Sequence, residues 1–280
     1  MKQLIKDLEE TKLAIFDLDG VIYRGDKLLP SVDKIIQDLK ELSINVVYNS
    51  NNSTATRQMY VDRLKKYNID SKISDFYTSA SITASEITKI ISNSKIFVIG
   101  EIGLREELKA MGHTIVSNEG QFDEIDFVIV GLDRAFNYKD IAFAQKSILK
   151  GNAQFYATNT DATLPITNGL LPGAGVMVKA IEICTSTKPI KVFGKPDPCG
   201  IKSILAENKV VPKEAVIFGD RLDTDILAGN RAKIKTVLVL TGVATFEMVE
   251  DLKIRVSQAK KVDEDLIPDV IIKNLNEIFI

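Results

Sequence analysis

The sequence predicts an α/β protein: a parallel-sheet core domain with a second α/β domain inserted into it. Three observations carry this prediction. Strand-like and helix-like segments alternate along the 280 residues, the order expected of parallel sheets with right-handed crossovers. The strand candidates are continuous apolar, β-branched runs, as for strands buried on both faces. Four such runs, far apart in sequence, each end on a charged or hydroxyl side chain: Asp17 and Asp19 after LAIF, Ser50 after VVYN, Lys195 after VFG and Asp220 after AVIFG. The carboxyl ends of parallel strands line one crevice, so these residues are expected to meet there.

The first strand covers residues 12–17 and is followed by a turn containing Gly20 and Gly25. A helix is predicted over SVDKIIQDLKEL, because Val32, Ile35, Ile36 and Leu39 recur at helical spacing and Ser31 follows Pro30 as an N-cap. INVVYN is the second strand, and a helix runs from about Thr54 to Tyr67. The end of the chain repeats the rhythm: KVFGK strand, CGIKSILAEN helix, EAVIFGD strand, TDILAGNRA helix, TVLVLTG strand, then a last strand and short helix in PDVIIKNLNEIFI.

Between these blocks lie roughly 100 residues with an alternation of their own, enough for a separate domain. KIFVIG, HTIVS, FDEIDFVIVGL and AQFYATN read as strands, and GLREELKAMG, YKDIAFAQKSILKG and GVMVKAIEIC as helices. The expected organisation is a core over residues 1–81 and 188–280, with an inserted domain over 82–187. The hinges are expected near Ile82 and near Lys188–Pro189. The core is therefore read as Rossmann-like.

Composition narrows the function classes. With 45% hydrophobic and 26% charged residues the chain reads as a soluble globular protein. A net charge of −2, from 36 basic and 38 acidic residues, gives no electrostatic footprint for nucleic acid or an anionic membrane. It leaves small anionic substrates open. Cys184 and Cys199 are too few for a disulfide scaffold or a zinc site. No run approaches the ~20 apolar residues of a membrane span, and MKQLIKDLEE alternates charge with apolar groups and lacks the apolar stretch expected of a signal peptide. Asn51 and Asn52 head sequons that, with no secretion signal, are chance matches. The expected location is the cytoplasm.

Asp17 and Asp19 sit two apart in FDLDG, where the end of a strand lets both point into the crevice. Carboxylates held close repel, so one takes a proton or a cation sits between them. Asp220, with Asp223 and Asp225 behind it, adds further carboxylates. Few oxygen ligands with room for water and phosphate suit Mg²⁺ better than Zn²⁺ or Ca²⁺. A carboxylate can attack phosphorus to form an acyl-phosphate. Lys195 would add fixed positive charge, and Ser50 with the N–H groups after it would hold a phosphoryl oxygen. The single histidine, His113, follows Gly112 at a predicted helix end and reads as a C-cap or surface residue. There is no P-loop and no GxGxxG after a strand.

These residues resemble the haloacid dehalogenase (HAD) superfamily of phosphohydrolases. FDLDGVIYRG (16–25), NSNNST (49–54), GKPDP (194–198) and GDRLDTDI (219–226) resemble its four motifs in order. The NN pair, TNTD and LLPGAG resemble the NagD-type branch, which includes p-nitrophenyl phosphatases. The resemblance implies that Asp17 is a nucleophile forming aspartyl-phosphate, and that Asp19 is the general acid and then base. It implies Mg²⁺ held by Asp17, by the Asp19 backbone carbonyl and by Asp220, with Asp225 orienting Lys195 or a metal-bound water. Ser50 and Asn51 would bind the transferring phosphate. The inserted domain would be a large α/β cap that reads the leaving group, with Asn159–Ile166 near the substrate. Pairing into a homodimer is expected by analogy. The expected function is Mg²⁺-dependent hydrolysis of a small phosphomonoester. The alternatives are a HAD-fold phosphotransferase, which the short span from Asp19 to Ser50 disfavours, and a non-catalytic phosphate-ligand binding module.

Overall fold

The computed structural model describes residues 2–117, 119–166, 169–258 and 264–280. The chain forms two compact units: 1–50, 61–77 and 195–280 make the first, and 51–60 with 78–194 the second. The junction expected at 81/82 falls inside a helix, Ser79–Ile90. Thr78 starts that helix, with its hydroxyl accepting from the Ser81 N–H at 3.1 Å, so the change of unit coincides with a helix cap and not with a loop. The second expected junction, 187/188, lies before an edge strand of the second unit, and the division comes after that strand.

The first unit is built on a six-stranded sheet in the order Val270–Ile272, Lys235–Val239, Ala215–Gly219, Leu13–Phe16, Asn45–Ser50, Phe76–Thr78. The first five strands of that order run parallel, each to its neighbour. Leu13, Ala14, Ile15 and Phe16 are fully buried, as the uninterrupted apolar run predicts. Leu13, Ile15 and Ile217 pack with Ile201, Ile204 and Leu205 of the Cys199–Asn208 helix on one face. Phe16 and Phe218, register partners at the ends of adjacent strands, stack with ring centroids 4.6 Å apart.

The helix Val32–Glu41 buries Val32, Ile35, Ile36 and Leu39, the four positions picked out by their spacing. Its start differs from expectation. Ser31 occupies the N-cap position but adopts φ 63°, and its side chain makes no capping bond. Left-handed backbone there turns the hydroxyl away from the geometry that an N-cap requires. Beyond the strand end Gly219, residues Leu222–Ile226 form a π-helical turn leading into the helix Leu227–Ala232.

The second unit holds a five-stranded parallel sheet, ordered Lys191–Val192, Gln154–Ala157, Phe127–Val130, Lys95–Ile99, Thr114–Ile115. Phe97, Ile99, Val128, Val130 and Phe155 pack against Met177, Val178 and Ile181 of the helix Ala174–Thr185. A separate hairpin pairs Thr163–Ile166 with Gly169–Pro172. Two expectations are corrected in this unit. The strand at KVFGK does not belong to the first unit: Lys191 and Val192 pair with Tyr156 and Ala157 at the edge of this sheet. A short apolar run reads alike whichever sheet receives it. His113 does follow a Gly112 cap at φ +89°, but its ring is buried and not at the surface. Among the described residues no helix is long and apolar enough to cross a membrane.

Candidate active site

The site lies in the first unit, at the carboxyl ends of its central strands. Pairing of Phe16 with Phe218 and with Tyr48 sets three strand ends level, and parallel neighbours stand about 4.8 Å apart. The ladder continues one step, with the Asp17 N–H donating to the Phe218 carbonyl at 2.9 Å. Asp17, Asn49 and Ser50, and Asp220 therefore leave adjacent strands at the same height.

Lys195 reaches this point from the segment that leaves the second unit, not from a core strand. The ammonium donates hydrogen bonds to Asp17 Oδ1 at 2.6 Å and to the Asn49 carbonyl at 2.8 Å, and it forms an ion pair with Asp225 Oδ1 at 2.6 Å. Lys195 is 5% exposed, so this charge is held in a dry environment. Its pKa responds first to burial, which pulls it down, but the carboxylates of Asp17 and Asp225 outweigh that and raise it above the ordinary lysine value.

Asp225 approaches from the π-helical turn. A Cβ on Gly219 would fall 2.1 Å from the Asp225 Cβ, so a side chain at 219 would expel it. Its Oδ2 accepts the Arg221 N–H at 3.1 Å. Asp220 is fixed from another side: its Oδ2 accepts the Val243 N–H at 2.7 Å and its carbonyl accepts the Ala244 N–H at 2.9 Å.

Asp17, Asp220 and Asp225 place carboxylate oxygens within 4.8 Å of one another, all buried. One ammonium faces three carboxylates, so full ionisation leaves two negative charges uncompensated. Burial lifts the Asp17 carboxyl well above the ordinary range, opposed by Lys195 and reinforced by Asp225 and Asp220. Burial, then Asp225, pushes Asp220 up to about 7, against the pull of the Val243 N–H and Lys195. Buried carboxyls in this condition demand a proton or a cation. A hard divalent ion with oxygen ligands fits the donor set.

Asp19 is not part of that group of three carboxylates. Between Asp17 and Asp19, Leu18 is buried, while Asp19 keeps an exposed edge. Enough protein surrounds its carboxyl that desolvation raises its pKa, against the attraction of Arg63 and Lys195. Arg63 lies with its guanidinium 3.6 Å from the centre of the Tyr23 ring and donates to the Gly25 carbonyl, bracing the turn after Asp19. Ser50 is buried at its strand end.

Asn51 falls in the second unit. There its Nδ2 donates to Asp161 Oδ2 at 3.0 Å, and the same oxygen accepts Asn159 Nδ2 at 2.6 Å. Its carbonyl accepts the Ser79 hydroxyl at 2.6 Å. The TNTD segment thus holds the Asn51 side chain in one orientation.

Comparison with known proteins follows the same motifs. A model of haloacid dehalogenase-like hydrolases matches residues 14–114, and a HAD-hydrolase-like model matches 192–277. The chain is 33% identical over 237 residues to an acid sugar phosphatase of Staphylococcus haemolyticus, covering 85% of this chain and 88% of that one. This chain belongs to the haloacid dehalogenase-like hydrolases. Within that family it falls in the NagD-type phosphatase branch. A 4-nitrophenylphosphatase of Thermotoga maritima superposes with TM-score 0.86 at 33% identity, covering 98% of both chains. A glycerol phosphate phosphatase of Mycobacterium tuberculosis in complex with magnesium gives TM-score 0.85 at 27% identity, over 99% of this chain and 78% of that one.

Sequence reasoning missed two groups in this HAD-type site. The Asn49 carbonyl, a main-chain acceptor, carries no side-chain signal. The Thr241–Ala244 loop was signalled only by Gly242 directly after an apolar strand, a common pattern at strand ends.

Proposed function

We propose that this chain is a Mg²⁺-dependent phosphatase that hydrolyses a small phosphomonoester through an aspartyl-phosphate on Asp17. The observation that carries the reading is the buried group of three carboxylates sharing one lysine, with Asp17 bonded directly to that lysine. Asp17 and Asp220, with the Asp19 carbonyl, would hold Mg²⁺, whose charge lowers the repulsion between an anionic nucleophile and a phosphate dianion.

The residues then divide the work. Lys195 orients Asp17 and favours its carboxylate, with an ammonium at 2.6 Å opposing the effect of burial. An Asp17 oxygen forms a bond to phosphorus as the ester P–O bond breaks. Asp19 gives its proton to the departing alkoxide, and burial, which raises its pKa against Arg63 and Lys195, favours the protonated form that a donor needs. In the second half Asp19 takes a proton from water as the water oxygen attacks phosphorus. The Asp17 carboxylate and inorganic phosphate are released. Ser50, at the strand end beside Asp17, binds a phosphoryl oxygen as charge moves in the transition state. Asp225 holds Lys195 in place.

The names of the relatives guide the substrate class: sugar phosphates, nitrophenyl phosphate and glycerol phosphate are all monoesters of small alcohols or phenols. The test is hydrolysis of p-nitrophenyl phosphate with Mg²⁺, with EDTA and with Asp17→Asn, followed by a panel of sugar and glycerol phosphates. Metal-dependent turnover that disappears in the variant is the expected result. Full activity in Asp17→Asn contradicts the reading.

A further inference from the structure

The loop after the strand Lys235–Val239 makes three contacts with the site that nothing above assigns a function. Thr241 donates its hydroxyl to the Gly20 carbonyl at 2.6 Å, Val243 donates its N–H to Asp220 Oδ2 at 2.7 Å, and Ala244 donates its N–H to the Asp220 carbonyl at 2.9 Å. The first ties the loop to the FDLDG turn, and the other two grip Asp220 by side chain and main chain. Two glycines close the arrangement. A Cβ on Gly242 would fall 1.8 Å from Asp220 Oδ2, and one on Gly20 would fall 2.4 Å from the same oxygen. Gly20 also has φ +89°, which a side chain would strain. The Asp220 carboxylate therefore lies in a slot walled by the two glycines and floored by a backbone N–H.

We infer that Thr241, Gly242 and Val243 form a positioning clamp that sets Asp220 for cation binding. The Val243 N–H holds Asp220 Oδ2, which fixes the orientation in which the carboxylate offers its remaining lone pairs to a cation. Because Thr241 holds the Gly20 carbonyl, the clamp also fixes the distance between Asp220 and the turn that begins at Asp17. A buried carboxylate beside two others would otherwise swing away from them to lower its repulsion, and a slot too narrow for a Cβ prevents that. Partners that orient a metal-binding carboxylate shift metal affinity by about 10–100-fold when removed.

The inference rests on the reading of Asp220 as a cation ligand, and the experiment separates the two. Mg²⁺ is titrated calorimetrically into chelator-treated full-length protein: wild type, Gly242→Ala, Thr241→Val and Asp220→Asn, each with its melting temperature measured in EDTA. The clamp predicts that Gly242→Ala weakens Mg²⁺ binding by at least about tenfold and Thr241→Val by severalfold, with Thr241→Ser close to wild type. It also predicts that activity lost by Gly242→Ala returns at high Mg²⁺, as for an affinity defect. Should Gly242→Ala fail to fold, Thr241→Val carries the test. Wild-type Mg²⁺ affinity in the folded variants, alongside a large loss in Asp220→Asn, overturns the clamp alone. Equal binding by wild type and Asp220→Asn, or none by wild type, overturns the reading of Asp220 and the clamp with it.

Discussion

Two buried polar clusters of this HAD-type phosphatase, one in each unit, are built on opposite principles. In the second unit His113 is self-sufficient. Its Nδ1 accepts the Ser94 N–H at 3.2 Å, so the ring proton sits on Nε2 and is donated to Thr88 Oγ1 at 2.9 Å. The Thr88 hydroxyl donates in turn to the Ala84 carbonyl at 2.7 Å. Every donor has an acceptor, and the cluster is neutral. In the first unit Asp17, Asp220 and Asp225 surround a single lysine, and no assignment of protons keeps all three ionised and balanced. A satisfied buried network holds a structure together; an unsatisfied one stores a demand for a ligand. Burial alone does not mark a functional site, but burial with charge left over does.

The largest effect is expected from removing the nucleophile. Asp17→Asn takes away one of the excess charges and the attacking oxygen together, so hydrolysis of p-nitrophenyl phosphate falls by at least about 10³-fold. The metal-free protein should not lose stability at pH 8, because the variant relieves repulsion. Activity assays and urea unfolding check the two halves, and a variant that is inactive because it is unfolded would break the comparison.

Replacing the shared cation comes next. Lys195→Met leaves buried carboxylates without their partner, which costs about 3–5 kcal/mol. Urea unfolding at pH 8 reads the loss. At pH 5 the loss shrinks, because the carboxyls take protons in place of the ammonium. An equal loss at both pH values would mean that Lys195 serves packing and not charge.

The neutral cluster gives the smallest effect. His113→Ala should cost about 1–3 kcal/mol by leaving the Ser94 N–H and Thr88 hydroxyl short of partners, with kcat and KM unchanged. Burial lowers the His113 pKa from its ordinary 6.5. The stability it contributes is present above that value and is lost as pH falls through the lowered one, since the unfolded chain takes the proton first. A variant that alters turnover would show the two clusters to be coupled.

Much of this was legible in the residues, for physical reasons. Buried parallel strands read as unbroken apolar runs, so Leu13–Phe16, Asn45–Ser50 and Ala215–Gly219 stood out, and with them the positions of Asp17, Ser50 and Asp220. What was hidden depended on partners distant in sequence. The apolar run before Lys195 gives no sign that it pairs with Tyr156 and Ala157 in the other sheet. Asp225 enters through a π-helical turn that no propensity announces. Backbone donors and acceptors such as the Val243 N–H and the Asn49 carbonyl are invisible in a sequence by nature. The buried state of His113 was missed because a histidine after a glycine cap usually faces water.

The central claim, that the acidic cluster is built to hold a cation, is tested most directly by urea unfolding at pH 5 and pH 8, in EDTA and in Mg²⁺. Asp220 has its folded pKa raised to about 7. Its protonated form therefore stabilises the metal-free fold below the unfolded carboxyl pKa, and that stability is lost as pH rises through about 7. The account predicts that the EDTA-treated protein is more stable at pH 5 than at pH 8, by an amount on the order of 3 kcal/mol. Mg²⁺ should restore stability at pH 8 and do little at pH 5. Unfolding curves that Mg²⁺ leaves unchanged at both pH values would contradict it.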